Sequence, residues 1–234
     1  MNFFTLDWKG SLLAIVVGIA LFFLGLGIGY FFVLEMVVFL VLSAIVTRVG
    51  QGYKKRIGTY QKYRGLKNVI ANGLPALVFA IIFYHYSLVG GWNAAMLAVI
   101  GFTGAVAAIS ADKFESELGV FGGTPRMVFH FRRVKRGTSG GISVLGLVCG
   151  IFATLIIALL MITVIPQLDA IKSAYAPTQL ALVTSVILGG ILGSVVDTFL
   201  GFFEEKGIGN KFTTNALGSL AGGIIAMLIF AAIA

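Results

Sequence analysis

The sequence predicts an all-α, polytopic transmembrane bundle, one integral membrane domain over residues 1–234, on three observations. Hydrophobic residues make up 59% of the chain and charged residues 11%, with a mean hydropathy of +1.02, whereas soluble domains are roughly 25% charged. The apolar residues fall in runs of ~20, the length an α-helix needs to cross a hydrocarbon core of ~30 Å. Lys and Arg collect in a few loops between those runs. The net charge of +8 is what such a topology requires, so it implies no nucleic-acid partner. Little chain is left over for a second, soluble domain.

Seven spans are read at about 10–28, 31–48, 69–89, 92–111, 142–165, 179–200 and 212–233. The first follows Lys9 and has no small-residue cleavage site after its apolar run, so it is expected to be a retained span rather than a removed signal. Gly25, Gly27 and Gly29 form either a turn or a loose stretch of helix; merging the runs around them would leave six spans. The third span opens at Asn68 and the Asn72-Gly73 pair, and carries His85 between Tyr84 and Tyr86, a pattern of the aromatic interface belt. The fourth runs into Asp112. The fifth holds Cys149, the sole cysteine, which excludes a disulfide framework and reads as a packing residue. The sixth ends near Asp197, and Asn215 lies at the start of the seventh. The amides at the starts of the third and seventh spans are either helix caps or site residues.

Orientation follows from the loops at about 49–68, 112–141 and 201–211. Under the seven-span reading every Lys and Arg except Lys172 lies on one side, which the positive-inside rule makes cytoplasmic. The N-terminus is then cytoplasmic and the C-terminus external. Lys54 to Lys67, interleaved with Tyr53, Tyr60 and Tyr63, fits an amphipathic surface helix that anchors at the headgroups or helps bind a phosphorylated lipid. With no organellar targeting extension, the expected location is a prokaryotic cell membrane, its site facing the cytoplasm.

Five carboxylates stand in or at the edges of the apolar runs: Glu35, Asp112, Glu115, Glu117 and Asp197. A charge in hydrocarbon costs several kcal/mol, so each is a candidate functional residue. The fourth and sixth spans run the same way and deliver Asp112 and Asp197 to one side. Helical spacing puts Asp112, Glu115, Ser116 and Gly119 on one face and turns Glu117 elsewhere unless the helix unwinds. Carboxylates combined with substrate phosphates are the oxygen ligands that Mg²⁺ prefers. Arg126, Arg132, Arg133, Lys135 and Arg136 then feed Gly137-Thr138-Ser139-Gly140-Gly141-Ile142-Ser143, a basic run and glycine segment opening a helix. Such a segment suits phosphate, through backbone N–H groups, the helix N-terminus and forked arginine contacts. It is not a P-loop, because G-x-x-x-x-G-K-[ST] is absent. Taken singly, the basic loop is also a topology signal or anionic-lipid contact, the glycines a turn, and the aspartates ion-pair partners of Lys113 or an arginine. Together they point to phosphate and metal. Glu35 is left between an interior structural acid and a functional one. His85 and His130 have no partner at ligand spacing, and His130 stands as a candidate base.

The run Asp112-Lys-Phe-Glu-Ser116-Glu117-Leu-Gly119 resembles the D-x-x-x-S-E-x-G signature of the phytyl-phosphate kinase and transmembrane protein 19 family, known as domain of unknown function 92. Gly137-Thr138-Ser-Gly140-Gly141-Ile-Ser143 is similar to its G-T-x-G-G-x-S. Gly189 to Gly201, with Gly193, Ser194, Asp197 and Thr198, resembles its G-x-x-x-G-S-x-x-D-[ST]-x-x-G. Asn72-Gly73 and Asn215 match further positions, while Lys113 and Thr198 depart from the residues commonest there. The resemblance implies phosphorylation of an isoprenoid (phytyl- or geranylgeranyl-type) monophosphate to its diphosphate by a nucleoside triphosphate, CTP being one candidate. On both readings together, Asp112, Glu117 and Asp197 are expected to hold Mg²⁺. The basic residues from Arg126 to Arg136 and the segment Gly137, Thr138, Gly140, Gly141 and Ser143 are expected to bind phosphate. Glu115, Ser116, Asn72, Ser194, Thr198 and Asn215 are additional candidates. An ion- or proton-coupled transporter and a CDP-lipid synthase-like cytidylyltransferase are the alternative functions.

Overall fold

A computed structural model describes residues 5–61, 65–164 and 178–234. Lys62, Tyr63, Arg64 and Lys172 lie outside the described residues. The elements, in chain order, begin with α1 (Trp8–Leu24), a 3-10 turn at Leu26–Ile28, α2 (Gly29–Arg48) and α3 (Gln51–Arg56). Next come α4 (Leu66–Leu88) and α5 (Trp92–Leu118), the latter extended by a 3-10 turn at Gly119–Phe121. A two-stranded antiparallel ribbon follows, of β1 (Arg126–Met127) and β2 (Gly141–Ile142), with Arg126 opposite Ile142. The chain continues with α6 (Val144–Leu160), a 3-10 turn at Met161–Thr163, α7 (Gln179–Glu205) and α8 (Lys211–Ile233).

Six helical stretches among the described residues are long and apolar enough to cross a membrane: Leu26–Arg48, Leu66–Leu88, Trp92–Phe121, Val144–Thr163, Gln179–Glu205 and Lys211–Ile233. The first expected span is a shorter apolar helix of 17 residues, so the expected seven reduce to six full-length spans and α1. Gly25 to Gly29 is a turn, with Leu26 at φ 48°, and α1 packs back against α2. Glycine is needed there: a Cβ on Gly25 would sit 2.8 Å from the Gly29 N, and one on Gly29 would enter the Phe22 carbonyl.

α5 is the centre. Its most apolar stretch is 89% buried, against 33–44% for the other spans, and it touches α2, α4, α6, α7 and α8. A helix apolar on every side is expected to be enclosed by other helices. Around it, α5, α7 and α8 meet through glycine. A Cβ on Gly193 would lie 2.6 Å from the Gly222 Cα, and one on Gly104 would lie 2.9 Å from the Gly222 carbonyl. Small residues are what allow membrane helices to approach backbone to backbone.

The three basic loops gather at one end of the bundle. α3 corrects the expected amphipathic surface helix: it is six residues long, and Lys54 is buried. Gly50, left-handed at φ 60°, turns the chain under the end of α2. There the Lys54 Nζ donates to the Val46 carbonyl at 2.6 Å, one of the carbonyls a helix C-terminus leaves without an intrahelical donor. The expected caps are also corrected. The α8 cap is Asn210, in a reciprocal capping box with Thr213, and α4 starts at Gly65 with no side-chain cap. Asn68, Asn72 and Asn215 therefore stand inside helices, free of capping duty.

Candidate functional site

A cavity of about 620 Å³ opens at the basic-loop end. Its walls are the end of α5 (Asp112 to Glu117), the glycine segment before α6, the end of α7 (Asp197, Thr198, Glu204, Glu205) and the start of α8 (Lys211, Asn215). Lys54 closes one side.

α5 and α7, running parallel, bring Asp112 and Asp197 together. One ammonium bridges them: the Lys211 Nζ is 3.7 Å from Asp112 Oδ1 and 3.6 Å from Asp197 Oδ2. Asp197 is buried and its Oδ1 has no hydrogen-bond partner. The closeness depends on glycine again, since a Cβ on Gly218 of α8 would sit 2.7 Å from the Asp197 Cβ.

The other two acids of α5 are held differently. Glu115 lines the cavity and accepts from the Ser194 hydroxyl of α7 at 2.9 Å. Glu117 takes Lys54 at 2.8 Å on one oxygen and Lys113 with the Thr47 hydroxyl (3.1 Å) on the other. The helical spacing that turns Glu117 away from Asp112 is what the structure contains. The expected grouping of Glu117 with the two aspartates is not: Glu117 sits in a lysine clamp with both oxygens engaged. Among the described residues no three His, Cys, Asp or Glu side chains converge as a metal shell. The fit to Mg²⁺ therefore rests on Asp112 and Asp197, hard oxygen donors with one buried atom unsatisfied, and needs further oxygens from a ligand.

The glycine segment lies against α7. A Cβ on Gly140 (φ 76°) would be 2.8 Å from the Phe202 N, and one on Gly201 would be 2.7 Å from the Gly140 N. The Ser139 N–H donates to Glu205 Oε1 at 2.9 Å. Ser143 caps α6, accepting from the Gly146 N at 3.1 Å and donating to the Gly119 carbonyl at 3.0 Å. This tie holds the segment beside the end of α5. Lys135, Arg136, Gly137, Thr138, Gly140, Gly141 and Ser143 all line the cavity, as do Ser116, Thr198 and Asn215. The Arg136 Nε donates to the Gly123 carbonyl at 2.9 Å, and its guanidinium lies over the Tyr53 ring.

Several expected residues stand apart. Arg126, Arg132 and Arg133 are exposed on the ribbon and its loop, outside the cavity lining. Asn72 lines a separate apolar pocket. Glu35 is fully buried in α2 and does not line the cavity. His130 is exposed, edge-on to Phe202. Cys149 packs beside Val46, Phe114 and Ala153.

Sequence reasoning counted Lys211 only as a topology signal and placed Lys54 on a surface helix at the headgroups, yet both line the cavity. Lys211 did carry one clue. A cation in the first turn of a helix opposes the macrodipole, so its presence there implies a carboxylate partner.

Comparison with known proteins covers nearly the whole chain. The family described as "Integral membrane protein DUF92" matches residues 2–227. The Uncharacterized membrane protein MJ0933 of Methanocaldococcus jannaschii is 31% identical over 227 residues, covering 96% of this chain and 86% of its own. Protein PGR of Arabidopsis thaliana is 30% identical over 180 residues, 71% of this chain and 62% of its own. No solved structure matches. The match spans the helices that carry both aspartates and the glycine segment, and the chain belongs to the DUF92 family of integral membrane proteins.

Proposed function

We propose that the protein is a membrane kinase that transfers the terminal phosphoryl group of a nucleoside triphosphate, CTP being one candidate, to an isoprenoid monophosphate. The observation that carries this reading is the convergence of Asp112 and Asp197, from two parallel helices, with a basic glycine segment on one 620 Å³ cavity. Such a cavity offers cation-holding oxygens on one wall and anion-binding groups on the other. The reading places the basic loops in the cytoplasm, where they follow the positive-inside rule and nucleotide is available.

Asp112 and Asp197 would hold Mg²⁺, which supplies charge neutralisation of the triphosphate when bound. Lys135, Arg136 and the backbone of Gly137 to Gly141 bind the phosphates on the facing wall. An oxygen of the acceptor monophosphate attacks the γ-phosphorus in line. The bond from that phosphorus to the β–γ bridging oxygen breaks, and the nucleoside diphosphate leaves with the electron pair. The acceptor is already anionic near neutral pH, so no strong base is required, and catalysis is mainly positioning with electrostatic stabilisation. Lys211, which pairs with both aspartates, is placed to pair with phosphate oxygens as well.

The test is purified protein in nanodiscs with geranylgeranyl monophosphate, Mg²⁺ and a panel of nucleotides. Label from the γ-phosphate is expected on the lipid diphosphate. Label from the α-phosphate would mean nucleotidyl transfer instead. Asp112→Asn and Asp197→Asn should each abolish the product; turnover surviving both would defeat the metal assignment.

A further inference from the structure

We propose that the groove between α1, α2 and α4 receives the apolar tail of a single-chain lipid phosphate whose headgroup enters the cavity. The proposal rests on the kinase reading and assigns that substrate's second half. A narrow apolar pocket of about 70 Å³ lies there, lined by Val17, Gly18, Met36, Leu40 and Gly73 among others. It adjoins the large cavity through one residue, because Asn68 lines both. One turn deeper on α4, the Asn72 amide donates to the Asn68 Oδ1 at 3.2 Å, and its own Oδ1 is buried with no partner. The polarity thus changes along α4, from a basic chamber through two amides to aliphatic walls.

The glycines show that this space is kept open. Where α5, α7 and α8 meet, a Cβ on glycine would collide with backbone. In the groove it would not. Gly18 has nothing within 4 Å of its ideal Cβ, and Gly73 has only a Val17 methyl at 3.6 Å. These glycines bring no helices closer, and they leave a channel that larger side chains would fill. From Ser43 to Val33 the groove follows α2 for about 15 Å at 1.5 Å per residue. That is half of a ~30 Å hydrocarbon layer, the depth a chain reaches from a headgroup at the interface. The narrowness admits one chain, which favours an isoprenoid-type tail over a diacyl lipid.

The experiment uses the full-length protein in nanodiscs and a geranylgeranyl monophosphate with a diazirine at its far end. Crosslinks are expected on α1 and α2, at Val17 and Met36, and should be lost in Gly18→Phe. The same variant should raise KM for geranylgeranyl monophosphate by about tenfold or more, the scale of a lost apolar pocket contact. KM for dimethylallyl monophosphate and for nucleotide should hold, reporting that Gly18→Phe is folded and turns over. Crosslinks confined to other helices, or an unchanged long-chain KM in Gly18→Phe, would overturn the proposal. So would equal labelling by a diazirine phosphatidylcholine, which would make the groove an ordinary bilayer contact. Because crosslinking needs no turnover, a wild-type protein that labels the groove but phosphorylates nothing would sink the kinase reading and leave the tail site standing.

Discussion

Glu117→Gln separates two roles that one carboxylate cannot hold at once. If Glu117 is the anion of a lysine clamp, its neutralisation removes the carboxylate charge that faces two ammonium groups. Those groups have little access to water, their side chains being 1% (Lys54) and 4% (Lys113) exposed. At 2.8 Å and an effective dielectric constant of about 20, the Lys54–Glu117 attraction alone is about 6 kcal/mol. Desolvation offsets part of this, and removing one member of a buried pair typically costs about 3–5 kcal/mol. Chains of this size lose about 2–4 °C of Tm per kcal/mol, so the apoprotein should melt about 6–20 °C lower. Tryptophan fluorescence in detergent, without Mg²⁺ or nucleotide, measures this directly. Replacing all three partners by apolar residues, as Lys54→Met/Lys113→Met/Glu117→Leu, should recover most of the loss, since a buried ion pair is often replaceable by packing. An apoprotein Glu117→Gln that melts with the wild type, and differs only in losing its stabilisation by Mg²⁺, would refute the clamp and restore Glu117 as a cation ligand.

Two further substitutions address the opposite walls of the cavity. Lys211→Met removes the ammonium that bridges Asp112 and Asp197. The lysine side chain is 48% exposed, so each pair contributes about 0.2–1 kcal/mol. Mn²⁺ binding without nucleotide, followed by electron paramagnetic resonance, should therefore tighten by about 2–30-fold, and equal or weaker binding would show that the lysine does not compete with a cation. Gly201→Ala places a methyl 2.7 Å from the Gly140 N, between two backbones that cannot both yield. It should cost about 1–3 kcal/mol and weaken nucleotide binding, whereas Gly52→Ala, with nothing within 4 Å, should be neutral or slightly stabilising.

The fold class was legible because hydrocarbon imposes length and composition on a helix, and six of the runs satisfy both. The convergence of Asp112 and Asp197 was legible for a related reason. Consecutive spans alternate in direction, so acids at the ends of the fourth and sixth had to share a side. What escaped is local and three-dimensional. Lys54 reads as a surface charge because nothing nearby in sequence shows that Gly50 folds it beneath α2. The amides of α4 and α8 stayed open between cap and site residue because spacing alone cannot say that Asn210 caps α8. The arginines at 126, 132 and 133 read as phosphate ligands because a basic run looks continuous until the ribbon turns part of it outward. Glu117 was half readable: periodicity turned it from Asp112 and set Lys113 one turn before it on α5, but Lys54, the other half of the clamp, comes from elsewhere in the chain.

The meeting of α5, α7 and α8 at glycine has a mechanical consequence. Side-chain contacts can be re-rotamered when a membrane thins or a neighbour shifts; main chain resting on main chain cannot. The distance between the two aspartates is thus set by three stiff rods in direct touch, and should hold across bilayers of differing thickness. The α1–α2 hairpin and α4 meet the rest through bulkier, more forgiving side chains. Sequence change is expected to accumulate in that outer layer, while the inner trio stays constant.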